Sequence, residues 1–278
     1  MSQKPNQRVY FVFLLAVSLL ALFSILNVVL GSVHIPLAQI VEIIFSDGGG
    51  NVVHENIVMK TRLPRILVAM GAGMALGVAG LLMQTLFRNP LAGPSVLGIS
   101  SGSSLGVAFV MLFTGQIFGF SFYSMGAWGD LAVVVSSMAG AGVVLALILF
   151  ITHRIGGTLS VLIIGVMIGY LSSSLVGLLK FYSSEEDVHN YVIWGLGSFS
   201  RMSAERAWVF GVVTIGLSLA AAFLSKPLNL LALGDRYATN LGLRIKRARF
   251  WIIVTTGLLT AIVTSFCGPI IFLGVAVP

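Results

Sequence analysis

Apolar residues fill this chain in blocks too long for a soluble fold. A hydrocarbon core of about 30 Å needs around 20 apolar helical residues to cross it. Blocks close to that length recur at 9–31, 64–87, 95–114, 130–151, 159–180, 206–225 and 250–267, and an eighth begins near Ile270 and runs to the end of the sequence. The pattern predicts an all-α, polytopic transmembrane helical bundle, with residues 1–278 as one membrane domain.

The polar and turn-forming positions are as informative as the apolar ones. Arg62-Leu63-Pro64-Arg65 opens the second block, and Phe87-Arg88-Asn89-Pro90-Leu91-Ala92-Gly93-Pro94-Ser95-Val96-Leu97-Gly98 closes it. Two prolines four residues apart at membrane depth leave backbone groups that lipid cannot satisfy. Such a break survives where it is buried in protein or lines a wet cavity, and discontinuous helices of this kind point to a transport pathway. A weaker echo follows later in the chain: an apolar run from Gly257, then Gly268-Pro269, then Phe272-Leu273-Gly274 and Pro278. One break ends an inward span and the other an outward one, as inverted repeats require.

Small residues recur every four positions in several blocks. Gly98, Gly102 and Gly106 form one ridge, Gly165, Gly169, Ser173 and Gly177 another, and Gly73 and Gly77 start a third that Gly80, three residues on, extends. Steps of four stay near one helix face. In lipid, where burying apolar side chains brings little gain, such ridges let backbones approach closely. Packing within one subunit is the simpler use; lining a pore is the alternative for the Gly165 ridge.

Composition sharpens this picture. Hydrophobic residues make up 57% of the chain and charged residues 9%, where a soluble domain carries roughly 25% charged residues. The first block follows Lys4 and Arg8 as a signal peptide would. It exceeds the usual apolar region of about 7–15 residues, however, and no small-x-small site follows. The expectation is an uncleaved first helix with a cytoplasmic N-terminus. Alternating the spans from there places Lys4, Arg8, Arg88, Arg154, Lys226, Arg236, Arg244, Lys246, Arg247 and Arg249 inside, with Asp235 as the accompanying acid. Lys60, Arg62, Arg65, Lys180, Arg201 and Arg206 fall outside with the remaining acids. This obeys the positive-inside rule, so the net charge of +7 reports topology, and nucleic acid is not an expected partner. Cys267 stands alone in an apolar stretch, as a small packing residue does.

Conventional catalysis finds little footing. His34, His54, His153 and His189 all fall in predicted loops, without metal-ligand spacing. The serines of Gly98–Ser104 lack a histidine base in any span. No carboxylate lies deep in a span, although ion-coupled carriers usually place ionisable groups there. No Gly-x-x-x-x-Gly-Lys-Ser/Thr phosphate loop is present, so if ATP drives this protein, another chain binds it. The polar segment 226–249, with Gly234, Asp235, Ala238, Leu241 and Gly242, suits two short helices at the membrane surface. It could anchor to anionic lipid or receive a cytoplasmic partner.

Together these motifs resemble the FecCD permeases, the membrane subunits of type II ATP-binding-cassette importers for iron–siderophores, haem and cobalamin. The matching residues are Arg62–Arg65, Gln84 with Asn89–Pro94 and Leu97-Gly98, Trp194-Gly195-Leu196-Gly197-Ser198, Leu233-Gly234-Asp235 through Ala238 to Leu241-Gly242, and Gly268–Gly274 with Pro278. The resemblance covers nearly the whole chain from about residue 9. It implies a homodimer of permeases of ten spans each in the cytoplasmic (inner) membrane, over two ATPase subunits, with a solute-binding protein docking outside. Arg62 and Arg65 resemble the arginines that pair with acids on that binding protein. Asn89 and Leu91 look like an inner gate and Thr158 like a second gate position, although Leu159 replaces the expected neighbouring hydroxyl. Ser172, Ser173 and Ser174 fall on the fifth span, which lines the path in this family. Residues 234–243, with Gly234, Asp235, Ala238, Leu241 and Gly242, resemble the helices that couple to the ATPase. The sequence stops where the family pattern continues with His and a nearby Arg, so the expectation is a chain truncated after about seven full spans of ten.

The reading from sequence is therefore a permease subunit that moves an iron–siderophore or related metal chelate across the membrane. It is not an enzyme, and no cofactor or metal is expected on this chain. An ion-coupled secondary transporter is the first alternative and an intramembrane hydrolase the second.

Overall fold

The computed structural model describes residues 7–45, 51–114, 126–155 and 158–278, and every regular element among them is helical. Among the described residues, six helices are long and apolar enough to cross a membrane: Arg8–Val29, Val52–Phe87, Trp128–Thr152, Ser160–Tyr182, Ala204–Ala232 and Ile245–Cys267. The third predicted span appears as the shorter apolar stretch Ile99–Phe113. The seven predicted full spans thus each correspond to helix.

The helices are α1 (Gln7–Val29), α2 (Leu37–Phe45), α3 (Val52–Ile57), α4 (Leu63–Phe87), α5 (Ile99–Ala108), α6 (Ala127–Ile155), α7 (Thr158–Tyr182), α8 (Glu185–Gly195), α9 (Ala204–Ala221), α10 (Ser225–Ala232), α11 (Asp235–Asn240), α12 (Ile245–Cys267) and α13 (Leu273–Ala276). Contacts divide the chain into two units, one of residues 1–68 and 202–208, the other of residues 69–201 and 209–278.

In the first unit, α1 is apolar on every face and most of its side chains are exposed, with Val28 and Val29 packing on the core at its end, as suits a helix surrounded by lipid. A small core forms below it from Ile35, Ile40, Ile43 and Val58. The last carbonyls of α1 have no intrahelical partners, and Arg62 supplies them. Its guanidinium donates to the carbonyls of Val28, Val29 and Val33. A Cβ on Gly31 would sit 2.6 Å from Arg62 Nη2, so glycine there lets the cation reach the helix end. A π-turn, Val58–Arg62, leads into α4.

In the second unit, helices approach each other closely at glycines. Gly106 of α5 faces the Ser136 carbonyl of α6, and Gly140 of α6 faces the Gly102 carbonyl in return. Any larger residue at these points would overlap backbone rather than a movable side chain. Around this contact lie Leu82, Met83, Leu97, Ile99, Val144, Ile148, Ile252 and Ile253.

The predicted span 95–114 is not one continuous α-helix. Pro94–Leu97 is a 3-10 turn, Gly98 is left-handed at φ 70°, and Phe109–Phe113 is a π-turn. The reason is local: Pro90 and Pro94 cannot donate to a helical ladder, and the left-handed turn at Gly98 suits glycine. The echo motif packs directly on this break. A Cβ on Gly274 would lie 2.5 Å from Pro94 Cδ, one on Gly93 2.5 Å from Val275 Cγ2, and one on Gly80 would overlap the Gly274 carbonyl. Gln84 Nε2 donates to the Val275 carbonyl at 3.2 Å. The two proline-broken segments therefore lie against each other.

Candidate functional site

The α7 ridge has two different halves. At its start, Gly165 lies against the backbone of Val96 and Leu97, and a Cβ would come within 2.9 Å of Leu97 Cα. Gly98 reciprocates, with the Gly165 carbonyl 2.6 Å from its ideal Cβ position. Farther along, a Cβ on Gly169 would meet Ser101 Oγ at 3.5 Å, and one on Gly177 would meet nothing within 4 Å. The open end faces a cavity of about 380 Å³.

Hydroxyls dominate its polar wall. Ser100, Ser101 and Ser104 come from α5, and Ser172 and Ser173 from α7. Lys180, in the last turn of α7, adds the cation. Tyr191 and Trp194 of α8 close one side. The predicted pathway serines thus separate. Ser172 is buried at the cavity, Ser173 lines it while exposed, and Ser174 is exposed without lining it.

Helix α8 falls in what the sequence leaves as an external segment. Its start is built by Ser184, which accepts from the Asp187 backbone N–H at 3.2 Å and donates to Asp187 Oδ2 at 2.8 Å. That Ser-x-x-Asp spacing is a capping-box signal and marks the helix in the sequence. Its end is set by backbone contacts between two of the family motifs. The Ser198 N–H donates to the Cys267 carbonyl at 2.7 Å, and left-handed Gly268 leaves the Trp194 carbonyl 2.7 Å from where a Cβ would stand. Tyr191 is thereby held against α5, its hydroxyl donating to the Ser104 carbonyl at 3.2 Å. Burial pushes its phenol up to about 12, with the Ser104 hydrogen bond pulling the other way. The phenol stays protonated and keeps donating. Lys180 Nζ lies 5.0 Å from the centre of the Tyr191 ring, within cation–π range.

At the far end of α4, Asn89 and Leu91 are both exposed. Asn89 Oδ1 accepts from the Leu91 N–H at 2.9 Å, which fixes the turn. Arg88, at a positive φ of 48°, donates through Nη2 to the Leu231 carbonyl and to Asp235 Oδ1, each at 3.0 Å. Arg249 Nη2 donates to Asp235 Oδ2 at 2.7 Å. Asp235 therefore joins the end of α4 to the start of α12, across α11. Nothing in the spacing of Arg88, Asp235 and Arg249 announces this cluster.

Left-handed Gly234 and Gly242 bracket the short helix, at φ 114° and 84°. Ala238 is fully buried within the chain, while Leu233, Tyr237 and Leu241 are exposed. The surface that residues 234–243 offer thus excludes Ala238. Thr158 opens α7, and its side chain lies outside the described residues.

The arginine pair also divides. Arg62 is buried at 6% exposure with its donors directed to its own chain, whereas Arg65 is exposed. Of the two, Arg65 lies at the surface, and Arg62 acts as a helix cap. Among the described residues, no group of three or more His, Cys, Asp or Glu side chains is arranged to hold a metal.

Comparison with known proteins agrees with this construction. The model of the FecCD transport family matches residues 19–278. The vitamin B12 import system permease protein BtuC of Citrobacter koseri is 33% identical over 225 residues, covering 81% of this chain and 65% of that protein. Its Salmonella typhimurium counterpart is 32% identical over the same shares. The chain thus spans just under two thirds of the length of these relatives. A solved chain described as an inward-facing conformation of a metal-chelate type ABC transporter superposes with a TM-score of 0.79 at 28% identity, over 98% of this chain and 79% of that one. With its spans, its paired proline breaks and a family match from residue 19 onward, this chain belongs to the FecCD transport family.

Proposed function

We propose that this chain forms the membrane-spanning permease of an ATP-driven importer for a metal chelate of the siderophore, haem or cobalamin class. The observation that carries the reading is the hydroxyl-lined cavity beside two proline-broken segments, whose wall holds no carboxylate among the described residues. A proton- or sodium-coupled carrier usually keeps carboxylates or histidines in the bundle to bind the coupling ion; a path served by an external energy source does not need them. Transport then proceeds by alternating access, with no bond in the cargo broken.

The partners follow from that reading. A second copy of the permease completes the path, two ATP-binding-cassette subunits sit below, and a solute-binding protein delivers cargo above. The membrane is the cytoplasmic one, with the N-terminus inside. Arg65 contributes to the outer docking face. Leu233, Tyr237 and Leu241, between the hinges at Gly234 and Gly242, meet the ATPase. Asp235 passes movement of that segment to Arg88 and so to Asn89 and Leu91, the inner gate, with Thr158 as a second gate position. Ser172 and Ser173 line the path.

Affinity purification of the tagged chain from its native membrane tests this. The expected result is a stoichiometric ATP-binding-cassette ATPase that Leu241→Asp displaces without loss of the permease. Recovery of the intact permease with no ATPase chain, under conditions that preserve other membrane complexes, contradicts it.

A further inference from the structure

Among the described residues, Lys180 is the single charged side chain on the wall of the hydroxyl-lined cavity. No carboxylate lies within ion-pairing distance of it among the described residues; its partner is the Tyr191 ring. The acids closest in sequence turn elsewhere. Glu185 and Glu186 are exposed on the first turn of α8, and Asp187 is bound to Ser184. A lysine that merely snorkels carries its ammonium out to the interface. This one lies over an aromatic ring on the cavity wall, and the ring is held by the Tyr191–Ser104 hydrogen bond.

The rest of the wall suits the same class of ligand. The hydroxyls of Ser100, Ser101, Ser104, Ser172 and Ser173 can each turn a proton toward an acceptor. Trp194 and Tyr191 supply a flat apolar side. A cation in a half-enclosed site binds an anionic oxygen more strongly than it would in water. The volume of about 380 Å³ is at the small end of ligand pockets, which run roughly 300–1,000 Å³. It accommodates one arm of a bulky chelate.

We infer that this cavity receives an anionic oxygen group of the cargo, and that Lys180 makes the protein prefer chelates of net negative charge, such as carboxylate complexes, over neutral or cationic ones. The inference rests on the transport reading above and narrows its substrate class. Lys180 is the specificity-determining residue; the serines orient the bound oxygens.

The test is equilibrium retention of four probes on the purified chain in lipid nanodiscs: ferric citrate and haem as anions, cyanocobalamin as a neutral probe, and ferrioxamine B as a cation. The wild-type protein is expected to hold the two anions about tenfold more tightly than the other two, a difference of ~1.4 kcal/mol. Lys180→Gln should erase that preference, and Lys180→Arg should keep it. Thermal melting of each variant separates specificity from folding, and Lys180→Met repeats the neutral substitution should the glutamine variant aggregate. A wild-type protein that holds all four probes equally overturns the inference. So does a neutral variant that still prefers the anions, or one that weakens all four alike. Failure to find an ATPase on the chain would defeat the transport reading separately and leave this ranking measurable.

Discussion

The two halves of helix α7 carry the same small-residue pattern and use it differently. At Gly165 the ridge is closed against the backbone of Val96 and Leu97; at Gly177 it is open to the cavity beside Ser173 and Lys180. The first half locks the helix to the proline break. The second borders the cavity. A glycine ridge is thus a statement about space, and what fills the space depends on where the neighbouring backbone passes. The arginine pair near the start of α4 repeats the contrast, with Arg62 committed to the end of α1 and Arg65 exposed.

The largest effect expected from breaking this contrast is at the closed end. Gly165→Leu would drive a side chain into backbone at Val96 and Leu97 that has no rotamer to yield. The destabilisation should be about 3 kcal/mol or more, seen as loss of monodisperse protein in detergent and a lower melting temperature. Normal folding of this variant would mean that the ridge does not lock α7 to the break. Arg62→Ala should come next. It strips the carbonyls of Val28, Val29 and Val33 of their donor, for a cost on the order of 1–3 kcal/mol, readable as faster hydrogen exchange at the end of α1 and in residues 31–35.

At the open end, Gly177→Leu should fold as the wild type does, within about 0.5 kcal/mol, yet obstruct the cavity and cut uptake severely. Equal uptake by this variant would place the path elsewhere. The smallest effect on the fold belongs to Arg65→Glu, also within about 0.5 kcal/mol of wild type. Its consequence should instead be a slower association with the solute-binding protein at low salt, since exposed charges act chiefly on encounter rate. An unaltered association rate would remove Arg65 from the docking face.

Much of this architecture is legible in the sequence because lipid imposes simple lengths. Each apolar block from 9–31 to 250–267 corresponds to helix, and the close approaches at Gly102, Gly106 and Gly165 follow from their spacing. The likeness of the two proline breaks is legible as an echo of motif, but their packing against each other is not. Other features are not, for physical reasons. Arg62 reads as a surface cation because its partners are backbone carbonyls, which leave no trace in side-chain identity. Ala238 reads as part of a contact surface, but burial within the chain depends on how α11 turns between Gly234 and Gly242. Asp235 joins Arg88 and Arg249 through folding alone, the first of them distant in sequence. The cavity emerges once α8 is placed, since Tyr191 and Trp194 form its side; the Ser184–Asp187 capping pattern was the available clue.

The central claim, chelate import driven by ATP on a partner, is tested most directly by uptake of a radiolabelled ferric chelate. Sealed vesicles containing the permease, the ATPase and the solute-binding protein would be used. Uptake that requires ATP on the ATPase side, stops with vanadate and survives collapse of proton and sodium gradients is the predicted result. Uptake that continues without ATP and disappears when those gradients are collapsed would contradict the account and identify an ion-coupled carrier.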